Sequence, residues 1–191
     1  VRAWRAGAYN VSTQAPGAFS AFAQYGYQPF AAQGAGGLDG DGQQHGYTVG
    51  VEAQFSPNTR AGLALGYQYG KLDSGARSNF TFKQQRLAGY LSQQLGAFSV
   101  EADAFVANNA YRSVSRSFNL GNVSRSETGE TDGHQSGMRL TGRYHWQSGV
   151  WTVSPLLGVA YENIHVAGYG ENGAASTAMR FGQQSWSGWQ G

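Results

Sequence analysis

Apolar and polar side chains alternate at every second position in several segments of the chain. In residues 45–56, Tyr47, Val49, Val51 and Phe55 fall on one side, and polar or small residues fall on the other. A period of two is typical of a β-strand with one face in an apolar environment. The pattern predicts eight strands, at residues 18–28, 45–56, 60–70, 82–95, 98–107, 138–146, 151–162 and 177–190.

The connections between these strands alternate in length. We predict short turns at 56–59, 95–97 and 147–149, and long polar loops at 29–44, 71–81, 113–133 and 166–176. Bacterial outer-membrane barrels have short periplasmic turns and long extracellular loops, and strands of about ten residues cross a bilayer at a tilt of about 45°. The sequence therefore predicts an all-β protein, a transmembrane antiparallel up-and-down β-barrel in the outer membrane of a Gram-negative bacterium.

The two faces of the predicted strands differ in chemistry. The charged residues lie opposite the apolar faces, where a barrel has its lumen, and we predict as lumen-facing Glu52, Glu101, Asp103, Arg139, Arg143 and Glu162. Aromatic residues near strand ends on the apolar faces are expected to form the lipid-facing girdle of such a barrel. They are Tyr47, Tyr67, Tyr69, Tyr144, Trp146, Trp151 and Tyr161.

Composition narrows the function classes. Aromatic residues make up 14% and charged residues 13% of the 191 residues, which excludes intrinsic disorder. The absence of cysteine excludes a disulfide scaffold and a cysteine nucleophile. A net charge of +2 gives no electrostatic basis for binding nucleic acid.

No arrangement of residues points to catalysis or to a cofactor. The turn that surrounds a serine nucleophile in hydrolases is absent, and His45, His134, His145 and His165 lack metal-ligand spacing. The loop around Asp39 lacks the later ligands of a calcium loop. We therefore predict no catalytic, cofactor-binding or metal-binding residue.

The first residues, VRAWRAGAYN, are alanine-rich and do not alternate. Arg2 and Arg5 are spaced by one helical turn. We predict that residues 1–12 are the end of a helix in the lumen, contacting the barrel through both arginines, and that residues 13–191 belong to the barrel. A frayed terminus is the alternative.

From about Gly17 to Gly191 the chain resembles the C-terminal translocator domain of the GDSL-type esterase autotransporters, in particular the pseudomonad type. The resemblance is carried by RSETGETDGH and by SPLLGVAYENIHVAGYGENGAASTAMRFGQQ, with further similarity in RAGLALGYQYGKLDSGA. It implies type V secretion, in which a twelve-stranded barrel threaded by one helix exports and anchors an N-terminal esterase passenger.

The resemblance also implies which partners the chain has and which parts of the full-length protein it lacks. The expected partners are outer-membrane lipids, lipopolysaccharide, the barrel-assembly machinery and the chain's own passenger. The Gly-Asp-Ser-Leu motif of the passenger is absent here, so this chain is expected to be no enzyme, whereas the full-length protein would be a serine esterase. With about eight strands against twelve, the barrel is expected to be incomplete at its C-terminus.

Two other functions fit parts of the pattern. A complete eight-stranded adhesin or small porin agrees with the strand count. A soluble glycan-binding β-sandwich would use the tyrosines and tryptophans as binding platforms. Its exposed apolar bands would aggregate in water, so solubility without detergent discriminates it.

Overall fold

Antiparallel strands make up most of the computed structural model, which describes residues 19–32, 40–73, 78–173 and 176–191. The long strands are β1 (Phe19–Ala32), β2 (Gly40–Ser56), β3 (Thr59–Asp73), β4 (Ser78–Leu95), β5 (Phe98–Leu120), β6 (Val123–Tyr144), β9 (Leu156–Val166) and β12 (Gln184–Gln190). Two small pairs complete the set, formed by β7 (Trp146–Ser148) with β8 (Trp151–Val153) and by β10 (Tyr169–Gly170) with β11 (Arg180–Phe181).

The eight long strands form one sheet in the order β1-β2-β3-β4-β5-β6-β9-β12. Each pairs antiparallel with the long strand before and after it in the chain, and β1 and β12 are the edges among the described strands. The predicted hairpin between residues 45–56 and 60–70 is confirmed, with Val51 opposite Leu63. No helix in the described ranges has the length and apolarity needed to cross a membrane.

The alternation of the sequence separates the sheet into an apolar face and a polar face. Leu63 and Leu65 are both 60% exposed on the apolar face, whereas Ala64 between them is 2% exposed on the polar face. Large aliphatic side chains are therefore left uncovered, and small ones are covered. This is the reverse of a water-soluble domain, in which large apolar side chains are buried.

The predicted polar loop at 113–133 is wrong. β5 and β6 continue through it and meet at a turn that begins at Gly121, where φ is +59°. A bulge between Tyr111 and Val114 places Ser113 at a φ of +53°, and pairing resumes above it. Arg116 interrupts the apolar residues Val114 and Phe118 on one face, and few apolar residues occur in the rest of the segment, so period-two alternation did not reveal it. The predicted loops at 29–44 and 71–81 are also shorter than expected, because β1 to β4 extend into them.

The predicted strands at 138–146 and 151–162 are each interrupted. β6 ends at Tyr144 and β9 begins after Pro155, and the small β7–β8 hairpin with its predicted short turn lies between them. Proline has no N–H to donate to a ladder, and Pro155 contributes its carbonyl, which accepts from the Tyr144 N–H at 3.1 Å. The predicted strand at 177–190 is likewise shorter, since its long segment begins at Gln184.

Candidate functional site

The polar face holds one row of residues that crosses all eight long strands. Neighbours in this row are directly paired across each ladder, and its members are Ser20, Glu52, Gly62, Tyr90, Asp103, Arg139, Ala160 and Gln190. Ionisable and hydrogen-bonding side chains are thus concentrated at one level of the face.

Glu52 and Tyr90 are joined across an intervening strand. The Tyr90 hydroxyl donates a hydrogen bond to the Glu52 carboxylate, and the Tyr90 ring lies over Gly62 on β3. A Cβ at Gly62 would lie 2.5 Å from that ring. The glycine therefore provides the space in which the tyrosine reaches from β4 to β2.

Asp103 and Arg139 form an ion pair at the next position along the row. Arg139 Nε donates to Asp103 Oδ2 at 2.9 Å, and the side chains are 29% and 21% exposed, respectively. Nearby, the Arg86 guanidinium carbon lies 3.4 Å from the centroid of the Phe105 ring, a cation–π contact. Phe105 in turn packs over Gly137, where a Cβ would lie 2.6 Å from the ring.

A chain of amides connects four strands above this level. Gln84 Nε2 donates to Asn109 Oδ1 at 2.8 Å and to Gln135 Oε1 at 2.9 Å. Gln135 donates to the Glu162 carboxylate. Glu52 and Glu162 thus accept hydrogen bonds from the neutral side chains of Tyr90 and Gln135, whereas Asp103 accepts one from a cation.

The connection between β9 and β12 continues their hairpin at the end opposite the short turns, where it pairs with β6 through Asn172 and Thr128. We call its described residues, 167–173 and 176–183, the strap. Arg116 on β5 binds Glu171 of the strap through two contacts, Nε to Oε1 at 3.0 Å and Nη2 to Oε2 at 2.6 Å. The Arg116 hydrogen bond lowers the pKa of Glu171, and the same bond raises the pKa of Arg116.

The six residues predicted to face the lumen lie on the polar face. Asp103 and Arg139 are brought together, while in the same ladder Glu101 is opposite Thr141 and Arg143 is opposite Ser99. Arg143 is exposed near the short-turn end of the sheet. Arg2 and Arg5 lie outside the described residues.

The seven aromatic residues of the predicted girdle lie in four parts of the structure. Tyr47, Tyr67 and Tyr69 are exposed side by side on β2 and β3, and Tyr144 packs against Phe98 with ring centroids 4.7 Å apart. Trp146 and Trp151 belong to the separate β7–β8 hairpin. The last member, Tyr161, is half-buried and packs against Trp189 at a centroid distance of 5.0 Å.

Sequence reasoning missed Arg86, Arg116 and Glu127. Arg86 shares the parity of Ala88 and Tyr90 in β4, so the period-two pattern contained a signal for it. Arg116 and Glu127 lie in the segment interpreted as a loop, and their partner residues are about 50 positions away in the chain. Glu127 is 1% exposed and accepts a hydrogen bond from the Thr177 hydroxyl.

A family model described as the autotransporter β-domain matches residues 4–191. The chain belongs to the autotransporter β-domain family. Among solved structures, the translocator domain of the autotransporter NalP from Neisseria meningitidis superposes with a TM-score of 0.71 at 17% identity, over 88% of this chain and 57% of that chain. This likeness supports the fold, and the resemblance stated from the sequence is confirmed.

Curated relatives carry the same domain in longer proteins. Esterase EstA of Pseudomonas aeruginosa is 29% identical over 149 residues, which is 76% of this chain and 23% of that protein. An extracellular serine protease of Serratia marcescens is 25% identical over 141 residues, 74% of this chain and 13% of that protein. This autotransporter β-domain thus spans about a quarter or less of the length of these relatives.

Membership assigns the two faces of the sheet. An autotransporter β-domain is an outer-membrane β-barrel that serves as the translocator in type V secretion. In such a barrel the apolar face contacts lipid and the polar face lines the lumen. The short-turn end is periplasmic and the end that carries the strap is extracellular. The translocator itself is not a catalyst, as predicted.

Proposed function

We propose that this translocator domain exports and anchors an N-terminal esterase passenger. The polar face of the sheet supports export. It carries a row of charged and hydrogen-bonding side chains, and the exposed apolar side chains lie on the opposite face. The esterase assignment rests on the 29% identity to EstA and on the sequence segments that resemble the esterase autotransporters.

The passenger assignment is tested with intact cells that express the full-length protein. Hydrolysis of a p-nitrophenyl ester by washed cells is expected, and it should disappear after external protease shaves the surface. Cells that carry the translocator domain alone are the matched control. Casein hydrolysis without ester hydrolysis would contradict the proposal and favour a protease passenger, as in the Serratia relative.

We propose further that residues 1–12 form the end of a helix seated in the lumen. Glu52 and Glu162 support this, because both carboxylates lie on the polar face, where they attract Arg2 and Arg5, although Glu162 also interacts electrostatically with Arg86. A charge-assisted hydrogen bond is roughly twice as strong as a neutral one. The lumen therefore offers the arginines a better partner than solvent.

Channel conductance of the purified full-length protein tests the helix. The double variant E52Q/E162Q and the double variant R2Q/R5Q are each expected to raise the conductance, because the helix is held less firmly. E130Q, on the lipid-facing parity of β6, is the control and should leave conductance unchanged. Equal conductance in all four proteins would contradict a seated helix.

The two edges of the described sheet require further pairing in a membrane. In hydrocarbon every backbone N–H and C=O needs an internal partner, so β1 and β12 must each gain a neighbour. We propose that further strands of the full-length protein supply these neighbours, which makes residues 13–191 the larger part of a twelve-stranded barrel.

Gel migration with and without heating tests the strand number. Heat-modifiable migration is expected for the full-length protein and not for residues 1–191 alone. A heat-modifiable 1–191 fragment would favour an eight-stranded barrel.

The outer-membrane location of the domain indicates its partners outside the chain. The exposed tyrosines at the extracellular end of β1 to β3 are placed to contact lipid headgroups and lipopolysaccharide. The barrel-assembly machinery is expected to insert the domain, as it does for the class. Cross-linking from Tyr25 and Tyr69, each replaced by a photoreactive residue, tests the lipopolysaccharide contact, and absence of a lipid adduct at both positions would contradict it.

A further inference from the structure

Two histidines lie directly opposite each other on the outward-facing side of the sheet. His134 of β6 is the register partner of His165 of β9, although the two are far apart in the chain. Two positions further along, the Ala167 N–H donates to the Asp132 carbonyl, so His134 and His165 belong to the hydrogen-bonded set of antiparallel pairs. The Cα atoms of such a pair are about 5.5 Å apart, and the two side chains are neighbours on one side of the sheet.

The histidine pair lies beyond the apolar part of this side, toward the extracellular end. Met138 and Tyr161 form the outermost large apolar pair of the β6–β9 ladder, and the next outward-facing pair, Ser136 with Asn163, is polar. The histidines follow that polar pair, four residues beyond Met138 and therefore about 13 Å further along the strand. Both imidazoles are thus reached by water at the cell surface rather than embedded in hydrocarbon.

Each imidazole is oriented by a hydrogen bond to the strand on its far side. His134 Nδ1 lies 2.8 Å from Asn108 Oδ1 on β5, and His165 Nδ1 lies 2.8 Å from Ser185 Oγ on β12. Because the strands are ordered β5-β6-β9-β12, the two Nδ1 atoms point away from each other. In an imidazole ring the edge formed by Cδ2 and Nε2 is opposite Nδ1. The Nε2 edges of the two histidines are therefore turned toward each other, between β6 and β9.

The same hydrogen bonds determine which ring nitrogen is available to a ligand. Asn108 Oδ1 can only accept, so Nδ1 of His134 carries the proton and Nε2 of the neutral ring keeps a free lone pair. The Ser185 hydroxyl can accept from His165 in the same way. Metal-binding histidines in proteins donate their other ring N–H to a neighbouring acceptor, which fixes the tautomer and the orientation of the ring. Both histidines have this arrangement.

We propose that His134 and His165 form a surface site for a divalent transition-metal ion such as Zn²⁺ or Cu²⁺. Imidazole nitrogen suits these ions, and the two Nε2 atoms converge on one point between the strands. In the described ranges no group of three His, Asp or Glu side chains is placed to hold a metal ion, so water completes the coordination. The Asp132 carboxylate on the same side is bound to Arg112 at 2.9 Å and lies outside the set. A bound ion joins β6 to β9 above the membrane, independently of the passenger.

Copper binding to the full-length protein, purified in detergent without a histidine tag, tests the site. Cu²⁺ is the probe because it binds most tightly among the first-row divalent ions and is paramagnetic. Electron paramagnetic resonance counts the imidazoles on each ion, and titration gives the affinity. H134N and H165N each remove one ligand, and H134N/H165N gives the background from the rest of the protein. H45N is the matched control, since the register partners of His45 are Tyr27 and Tyr69.

The wild type and H45N are expected to bind a copper ion with two coordinated imidazoles, and H134N/H165N should lack this signal. Each single variant should bind about tenfold more weakly and show one imidazole, because the second ligand no longer binds intramolecularly. Heat-modifiable migration on gels verifies that every variant is folded. The same copper spectrum and affinity in the wild type and H134N/H165N overturn the site, and so does an equal loss of binding in H45N.

The orienting hydrogen bonds provide a second measurement. N108A and S185A keep both ligands but release one ring each, and each is expected to weaken copper binding about tenfold, as loss of such a partner does in metal sites. Q85A is the control, since Gln85 is the register partner of Asn108 on β4 and should leave the affinity unchanged. Wild-type affinity in both N108A and S185A overturns the orientation of the rings and with it the proposed site.

Discussion

Arg139 and Asp103 lie directly opposite each other on β6 and β5, and form an ion pair on the polar face of the sheet. The distance from Arg139 Nε to Asp103 Oδ2 is 2.9 Å. Both side chains are about three-quarters covered, so their charges are only partly solvated. Asp103→Asn is expected to lower the free energy of unfolding by about 1–3 kcal/mol, between the cost of losing an exposed pair and that of losing a buried one.

Urea titration of the protein folded in vesicles measures this loss. The exchanged pair D103R/R139D should recover part of it, because the opposite charges remain adjacent. R112Q, at a pair whose side chains are 38% and 65% exposed, should cost less than about 1 kcal/mol. If D103N costs no more than R112Q, the lumenal pair does not stabilise the sheet.

Gly62 is expected to tolerate no side chain. Gly62→Ala places a methyl group against the Tyr90 ring and separates the tyrosine from Glu52, which should cost about 1–3 kcal/mol of unfolding free energy. Gly26→Ala is the control, since a Cβ there has no neighbour within 4 Å. Equal stability of the two variants would show that the tyrosine relaxes without loss.

The lipid-facing position of Leu65 predicts a strong penalty for charge. Leu65→Arg is expected to destabilise the folded barrel by about 2–4 kcal/mol if the residue lies near the bilayer midplane. Gln68→Arg, on the polar face of the same strand, should be nearly neutral. The fraction folded in lipid vesicles, followed by gel migration with and without heating, measures both. A harmless Leu65→Arg would contradict the assignment of the faces.

The ion pair between Arg116 and Glu171 should weaken in acid. Because the pKa of Glu171 is lowered in the folded protein by the Arg116 hydrogen bond, the contribution of the pair is fully present above the unfolded pKa of about 4.3 and is lost as pH falls through the lowered folded value. Arg116, whose pKa is raised above an already high value, stays charged throughout. The strap should therefore be held firmly at neutral pH and become more mobile once Glu171 is protonated.

A spin label at Met179→Cys reports this transition, since Met179 is half-exposed on the strap and the chain has no other cysteine. Label motion should be restricted at pH 7 and free at pH 3. E171Q should show free motion at both values. A restricted label in E171Q at pH 7 would mean that the backbone pairing alone holds the strap.

The membrane-spanning part of the fold was predictable because lipid and lumen impose opposite chemistry on successive residues. Val49 and Leu65 face lipid and Glu52 faces the lumen, and a period of two follows from that arrangement alone. The same logic fails in residues 113–133, which are strands. There Arg116 lies on the same face as Val114 and Phe118, and Glu127 on the facing strand, so apolar residues do not recur at every second position.

The lumenal contacts were predictable only in part. Parity placed Asp103 and Arg139 on one face, but the register that joins them is set by the turn at Gly121 and the bulge after Tyr111, which lie in or beside the segment interpreted as a loop. Glu171 reaches Arg116 across 55 positions of sequence, and nothing in the spacing of the two residues indicates that contact. Contacts between strands that are not neighbours in the sheet depend on register and on bulges, which the alternation of residues does not specify.

The order of the strands in the sheet is the order of the strands in the chain. Each ladder therefore closes only a short loop, and the conformational entropy lost at each closure is small. Every described ladder of the main sheet joins long strands that follow one another in the chain. The domain is accordingly suited to sequential growth, in which each completed hairpin offers its free edge to the next strand, and only the final closure of the barrel joins strands that are distant in the chain.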